Sequence, residues 1–373
     1  MIRFLEGVFI LAGMIIGVGM FAIPFSFAAA GFWLGALELA ALSCLVVILH
    51  LLYGKIVLVT PEFHRMPGYV RHYLGRRAEM VSWASTLFGT VGTLVAYLAV
   101  GALFLQNILS SVFPGAGVFS YVVFLALTVS AITFFPLKKE AHINGILTIF
   151  EIAFIALLAF FLLPKISPAH LHGFHPQNIF IPYGVLLFAL SGGSVIPDVI
   201  TVLGRGKKRV TRAIVAGSLI PAILYFFFAF GVVGVSGRAT TSEAIAGLRS
   251  VIGERIVFLG SVAGFLAVLT SFIALSANFQ ALLRLDMKIP RRAAWLGASV
   301  IPFFLYTAGF QNFIVIIGVV GAVAFGVDSA LFLLMGRKIA KKQGGRGLIP
   351  PWANYSILAI IIVGILAELL RII

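Results

Sequence analysis

Two stretches carry residues whose backbone, more than their side chains, could do chemistry. Gly13-Met14-Ile15-Ile16-Gly17-Val18-Gly19 runs on to Pro24, and Phe188-Ala189-Leu190-Ser191-Gly192-Gly193 runs on to Pro197. Both share a Gly-x4-Pro core, Gly19 to Pro24 and Gly192 to Pro197. Glycine tolerates non-helical backbone and proline removes an amide donor, so a helix with this pattern is expected to open for a residue or two. The N-terminus of the second half-helix then offers free N–H groups and a positive dipole to an anion, while exposed carbonyls can hold an ammonium or a metal cation. A zwitterion fits both ends. Side-chain chemistry is sparse by comparison: four carboxylates, Glu38, Glu151, Asp198 and Asp328, fall inside apolar stretches. They stand on different stretches with no accompanying nucleophile, base or cofactor motif, so no catalytic set is expected. Cys44 is the only cysteine, which excludes an intramolecular disulfide, and no zinc-ligand spacing exists.

The elements that hold these residues follow from composition. The chain of 373 residues is 61% hydrophobic and 10% charged, against about 25% charged for a soluble domain. A bilayer core about 30 Å thick needs roughly 20 apolar residues per helix. Apolar windows predict eleven spans, near residues 3 to 28, 31 to 56, 79 to 111, 118 to 136, 143 to 163, 180 to 202, 210 to 236, 254 to 284, 292 to 309, 312 to 336 and 354 to 373. The expected fold is an all-α polytopic membrane protein, and the basic residues test its span count. With the N-terminus cytoplasmic, 22 of the 27 Lys and Arg fall on inside segments, as the positive-inside rule requires. The formal charge of +15 is therefore a topology signal, and no nucleic-acid partner is expected. This places the C-terminus on the periplasmic or extracellular side of a bacterial inner membrane. Arg3 and Ala28-Ala29-Ala30 resemble a secretory signal, but Glu6 and the length of the apolar run favour a first span.

The two Gly-x4-Pro spans are the first and the sixth. They enter from opposite sides, as in a five-plus-five inverted repeat with an accessory helix. The repeats cover residues 1 to 163 and 180 to 336, and the accessory helix 354 to 373, in one transmembrane domain spanning 1 to 373. Irregular backbone survives at membrane depth only where it faces protein or a polar cavity, so paired interruptions predict a buried binding site. Outside the spans, residues 236 to 254 place Ala244, Ile245, Leu248, Val251 and Ile252 at helical spacing, which predicts an amphipathic surface helix acting as a lid or a connector. His50 is the one histidine inside a span, so no histidine relay is expected, and the tract His170, His172, His175 reads as a solvated loop.

At the glycine-rich stretches, and at Thr270-Ser271-Phe272 in the eighth span, the sequence resembles the amino acid, polyamine and organocation superfamily with the leucine-transporter fold. Its nearest likeness there is to bacterial aromatic amino acid (tyrosine/tryptophan) permeases, over nearly the whole chain. The resemblance implies secondary transport of an amino acid by alternating access, coupled to sodium or a proton. It puts the substrate carboxylate at the amides of Val18 and Gly19, with Gly17 beside them in the substrate site. The amine would meet carbonyls of Ile15 and Phe188, helped by Ser191, beside Gly192 and Gly193, with Tyr97 approaching the carboxylate. A sodium ion, the only cofactor implied, would sit among Gly13, Ile16, Ala267, Thr270 and Ser271, five oxygens around a hard cation. The alternative for Thr270 and Ser271 is bonding back to carbonyls one turn earlier. Met20 and Ala189 stand where a second sodium site in relatives needs an amide and a hydroxyl, so no second site is expected. Glu151 and Asp198 are the proton-coupling candidates, Arg3 and Asp286 a candidate gate pair, and a monomer or weak homo-oligomer the expected state. An intramembrane enzyme or a channel is the alternative class; a channel would need a ring of repeated polar residues or a short selectivity sequence.

Overall fold

The computed structural model describes residues 2–135, 152–342 and 349–371, and these are helical with no strand among them. Seven helical stretches are long and apolar enough to cross a membrane, and an eighth is a pair bent by 50° at a short break. The bent pair is α1 (Ile2–Ile15) and α2 (Ile23–Ala30), joined through a 3-10 turn at Val18–Ala22. Next come α3 (Phe32–Val59), the short α4 (Met66–Leu74), α5 (Arg76–Leu109), α6 (Val118–Phe134) and α7 (Ile152–Lys165). The second Gly-x4-Pro stretch gives α8 (Ile181–Leu190) and α9 (Ile196–Leu203). After them run α10 (Lys207–Ser236), the one-turn α11 (Arg249–Ile252), α12 (Glu254–Leu285) and α13 (Arg291–Thr307). The chain finishes with α14 (Phe313–Val320), a π-helical segment at Gly321–Phe325, α15 (Gly326–Lys342) and α16 (Pro351–Leu370).

Local chemistry explains several boundaries. Pro24 and Pro197 sit in the first turns of α2 and α9, where a missing N–H is harmless and the fixed φ suits a helix start. The proline of each Gly-x4-Pro core thus begins the second half-helix, and the glycines before it supply the break. Gly31 closes α2 at φ 114, and a Cβ there would collide with the carbonyl of Gly173, so the turn into α3 needs a residue with no side chain. The Asn312 side chain accepts from the Val315 amide at 3.2 Å and caps α14.

Packing puts the two broken spans at the centre. α1 lies on α9 and α10, α2 on α8 and α10, α8 on α14 and the π segment, α3 on α10, and α5 on α12. Close approach depends on small residues, as in membrane bundles generally: Gly184 meets the backbone of Gly318, and Gly321 meets that of Gly184. The expected amphipathic helix over 236 to 254 is instead three short pieces, Gly237–Ala239, Ala246–Leu248 and α11. The reason is Glu243, which is 4% exposed and accepts from the Thr241 hydroxyl (2.9 Å), the Ala246 amide (3.2 Å) and Asn107 of α5 (3.4 Å). This side chain takes the Ala246 amide, which a continuous helix would use, and the loop turns inward, burying Ala244, Ile245 and Leu248.

Candidate functional site at two helix breaks

The first break covers Ile16 and Gly17, the second Ser191 and Gly192. Gly17 is extended (φ −158, ψ −160), as is Ser191 (φ −68, ψ 125). No hydrogen-bonded turn spans either pair. Bonds resume only with the Met20 amide on the Gly17 carbonyl (3.2 Å) and the Val195 amide on the Gly192 carbonyl (3.4 Å). Within the described backbone this leaves the amides of Gly17, Val18 and Gly19, and those of Gly192, Gly193 and Ser194, without a backbone acceptor. The carbonyls of Gly13 and Ile16 likewise accept no backbone bond. Three consecutive amides at a helix start form a concavity suited to a carboxylate.

The two breaks press on each other reciprocally. A Cβ on Gly19 would stand 2.8 Å from the Ala189 Cα and 2.9 Å from a ring carbon of Phe188, whereas one on Gly192 would meet Ile15 and Leu11. At Gly17 an added Cβ meets nothing within 4 Å, so open space adjoins the free amides. Gly17, Phe188, Ser191 and Gly193 are half-buried and Ser194 is exposed, although both segments lie midway along their spans.

Side chains close the arrangement. The Ser191 hydroxyl donates to the Phe188 carbonyl at 2.8 Å. Tyr225 of α10, fully buried, places its hydroxyl 2.7 Å from the Ile15 carbonyl and 3.2 Å from that of Ala189, bridging the ends of α1 and α8. Of the two carbonyls expected to meet an amine, Ile15 accepts from Tyr225 and keeps a second lone pair, whereas Phe188 already accepts from both the hydroxyl (2.8 Å) and the amide (3.2 Å) of Ser191. Sequence reasoning missed Tyr225. Its signal was a single phenol in the run Leu224-Tyr225-Phe226-Phe227-Phe228, because a buried tyrosine hydroxyl usually finds a partner. Tyr97 of α5 is 9% exposed, its ring centroid 5.9 Å from that of Phe272 on α12.

The residues expected around sodium divide between two helices. Gly13 and Ile16 belong to α1, which packs on α9 and α10, while Ala267, Thr270 and Ser271 belong to α12, which packs chiefly on α5, α13 and α6. The Thr270 hydroxyl donates back to its own helix, 3.0 Å from the Leu266 carbonyl and 3.1 Å from that of Ala267. Among the carboxylates, Asp328 accepts from the Ser85 hydroxyl at 3.1 Å, and one oxygen of Glu38 is buried with no partner among the described residues. Asp198 is exposed in the first turn of α9, where the helix dipole favours a negative charge. Glu151 lies outside the described residues. The expected Arg3 and Asp286 pair is not formed: Asp286 is held by Arg65 at 3.1 Å, because the segment before α4 brings Arg65 to the end of α12. Two adjoining cavities of about 400 and 490 Å³ share Ala28, His175 and Arg238 beyond the end of α2, away from the breaks. His170 and His172 also line the first. No group of three His, Cys, Asp or Glu placed for a metal occurs among the described residues.

Residues 1–371 match the tryptophan/tyrosine permease family. The chain belongs to that family. Its relatives include the tryptophan-specific transport protein of Pseudomonas aeruginosa, 26% identical over 74% of this chain and 69% of the relative. Another is glutamine transporter 2 of Aliivibrio fischeri, 24% identical over 72% of this chain and 71% of the relative. In fold the chain is similar to MhsT, solved with L-phenylalanine, at a TM-score of 0.66 and 14% identity, with 97% of each chain covered. This permease is thus a multi-pass membrane protein that transports amino acids, and its relatives are transport proteins, not enzymes.

Proposed function

We propose that this permease carries an aromatic or other neutral amino acid by alternating access around the paired breaks. The observation that carries the reading is the set of free amides at Gly17, Val18 and Gly19 with open space beside Gly17, and carbonyls of Ile15, Phe188 and Ala189 close by. The substrate carboxylate takes the three amides, and its ammonium takes the remaining lone pairs of the Ile15 and Ala189 carbonyls and displaces the Ser191 hydroxyl at Phe188. Neutral zwitterions suit a break that offers one anion cradle and one carbonyl cluster. Aromatic side chains agree with the names of relatives called a tryptophan-specific transport protein and a low affinity tryptophan permease, and the glutamine relative keeps polar neutral amino acids in view.

In this reading eleven spans form two inverted repeats, residues 1 to 163 and 180 to 336, plus an accessory helix from 354, in one domain with the N-terminus cytoplasmic. Counterpart spans meet each other, α1 with α9, α2 with α8, α3 with α10 and α5 with α12, which is the contact pattern a two-fold axis near the centre produces. Nucleic acid has no role, and the working unit is a monomer or weak homo-oligomer. Coupling is to sodium or to protons. For sodium, the carbonyls of Gly13 and Ile16 are unoccupied by backbone donors and would join Ala267, Thr270 and Ser271 once α12 approaches α1. For protons, Glu151 and Asp198 are the acidic candidates.

The test is uptake of labelled tryptophan, tyrosine, phenylalanine and glutamine into proteoliposomes, with and without sodium and across pH, together with counterflow. Trans-stimulation by unlabelled amino acid is expected. Flux without trans-stimulation would make the protein a channel and end this reading. Sodium dependence lost in Thr270→Ala identifies the cation site, and proton dependence lost in Glu151→Gln identifies the acidic one.

A further inference from the structure

A fully buried polar group outside this scheme is His50 of α3, which is 0% exposed. Its Nδ1 lies 3.0 Å from the Ser218 hydroxyl of α10, and its Nε2 is buried with no hydrogen-bond partner among the described residues. Ser218 makes no bond back to its own helix, unlike Thr133, Ser236 and Ser329, whose hydroxyls return to carbonyls four residues earlier. Its hydroxyl is committed to the imidazole. The other edge of the ring faces the second break: Cδ2, bonded to Nε2, would stand 3.8 Å from a Cβ on Gly193. The Phe332 ring closes that side at 3.4 Å from the same point and stacks on Tyr53, one turn from His50, with centroids 4.5 Å apart.

Charged groups on the surrounding helices leave the ring alone. Asp328 of α15 is bonded to Ser85, Asp198 is exposed in the first turn of α9, and among the described residues the ring makes no hydrogen bond to a charged side chain. Lys207, Lys208, Arg209 and Arg212 occupy the exposed end of α10. Tyr183 of α8 lies against α16 at Gly364, α2 carries no titratable group, and Glu38 and Lys55 are the charged members of α3 itself. An imidazole nitrogen with a lone pair can take up a proton, and this ring keeps one nitrogen without a partner near unwound backbone.

We propose that His50 is a proton-binding site coupled to the break at Ser191 and Gly192. In the neutral tautomer whose Nδ1–H donates to the Ser218 oxygen, Nε2 holds a lone pair. A proton entering from water bonds to that lone pair, nothing else breaks, and Nε2–H becomes a donor for a carbonyl of the segment around Gly193. Protonation thereby favours one arrangement of α8 against α9, and return of the proton to water on the other side of the membrane releases it. The inference rests on the alternating-access reading and names where its coupling proton sits.

The experiment uses the full chain in proteoliposomes with the membrane potential clamped at zero, and whichever amino acid of the panel gives the highest counterflow. One proton per neutral amino acid should sustain accumulation of about tenfold per unit of pH gradient. His50→Gln should keep counterflow, which needs no net proton release, and lose gradient-driven accumulation to a ratio near one. Accumulation in His50→Gln equal to that of the parent, or a parent indifferent to the pH gradient, overturns the proposal. If His50→Gln abolishes counterflow too, Ser218→Ala decides: a shifted pH midpoint of uptake sustains the assignment and an unmoved one overturns it. A parent without counterflow for any amino acid sinks the transport reading itself and the proton site with it, a result distinct from counterflow without proton coupling.

Discussion

Substituting Gly19 by alanine tests the close contact between the two breaks. The new Cβ would lie 2.8 Å from the Ala189 Cα, 2.9 Å from a Phe188 ring carbon and 3.0 Å from the Ala189 Cβ. Backbone at Ala189 would have to retreat by about 0.6 Å to reach the 3.4 Å edge of ordinary contact, and two of the three obstructing atoms belong to Ala189. Overpacking of this kind costs about 1 to 3 kcal/mol. Because the strain falls on the segment that presents the Val18 and Gly19 amides, the same amount should appear as a loss of substrate affinity of roughly 5- to 150-fold. The assay is substrate KM and binding in proteoliposomes, beside thermal unfolding of the detergent-solubilised protein. Gly17→Ala is the companion, since its Cβ meets nothing within 4 Å and its φ of −158 suits any residue. It should fold within about 0.5 kcal/mol of the parent yet weaken substrate binding by intruding on the space beside the free amides. A Gly19→Ala protein with parental KM and unfolding temperature would refute the contact between the breaks. A Gly17→Ala protein with parental binding would refute the location of the carboxylate.

Three further outcomes are expected. Tyr225→Phe removes the hydroxyl shared by the Ile15 and Ala189 carbonyls, so it should lower stability by about 1 to 3 kcal/mol and alter substrate KM, seen by thermal unfolding and uptake. Arg205 donates to the carbonyls of Leu58 (3.2 Å), Thr60 (2.8 Å) and Pro61 (2.6 Å), tying the end of α9 to the end of α3. Because this contact is largely exposed, Arg205→Ala should cost only about 1 kcal/mol while speeding thiol labelling of a cysteine placed at Phe63. Glu368 is 0% exposed and paired at 2.7 Å with Arg371, whose side chain is 23% exposed, so Glu368→Gln weakens the pair and should destabilise by about 1 to 3 kcal/mol, read as a fall in unfolding temperature.

The sequence alone determined the membrane class, the approximate positions of the apolar helices and the two places where helices open. Hydrophobic runs of span length have one physical outcome, and Gly-x4-Pro couples a residue that tolerates irregular backbone to one that starts a helix well, so Gly17 and Gly192 were legible without coordinates. Tertiary structure decided what meets at those openings. That Gly19 seats on Ala189, that Tyr225 reaches two carbonyls 210 and 36 residues away in sequence, and that the His50 ring edge comes near Gly193 are facts of helix rotation and packing. The same holds for Asp286, which found Arg65 in place of Arg3, and for Glu243, which folded the loop over 236 to 254 inward. Burial and backbone pairing are properties a residue has locally; partnership depends on which faces of distant helices are brought together, and a single chain's spacing does not encode that choice one residue at a time.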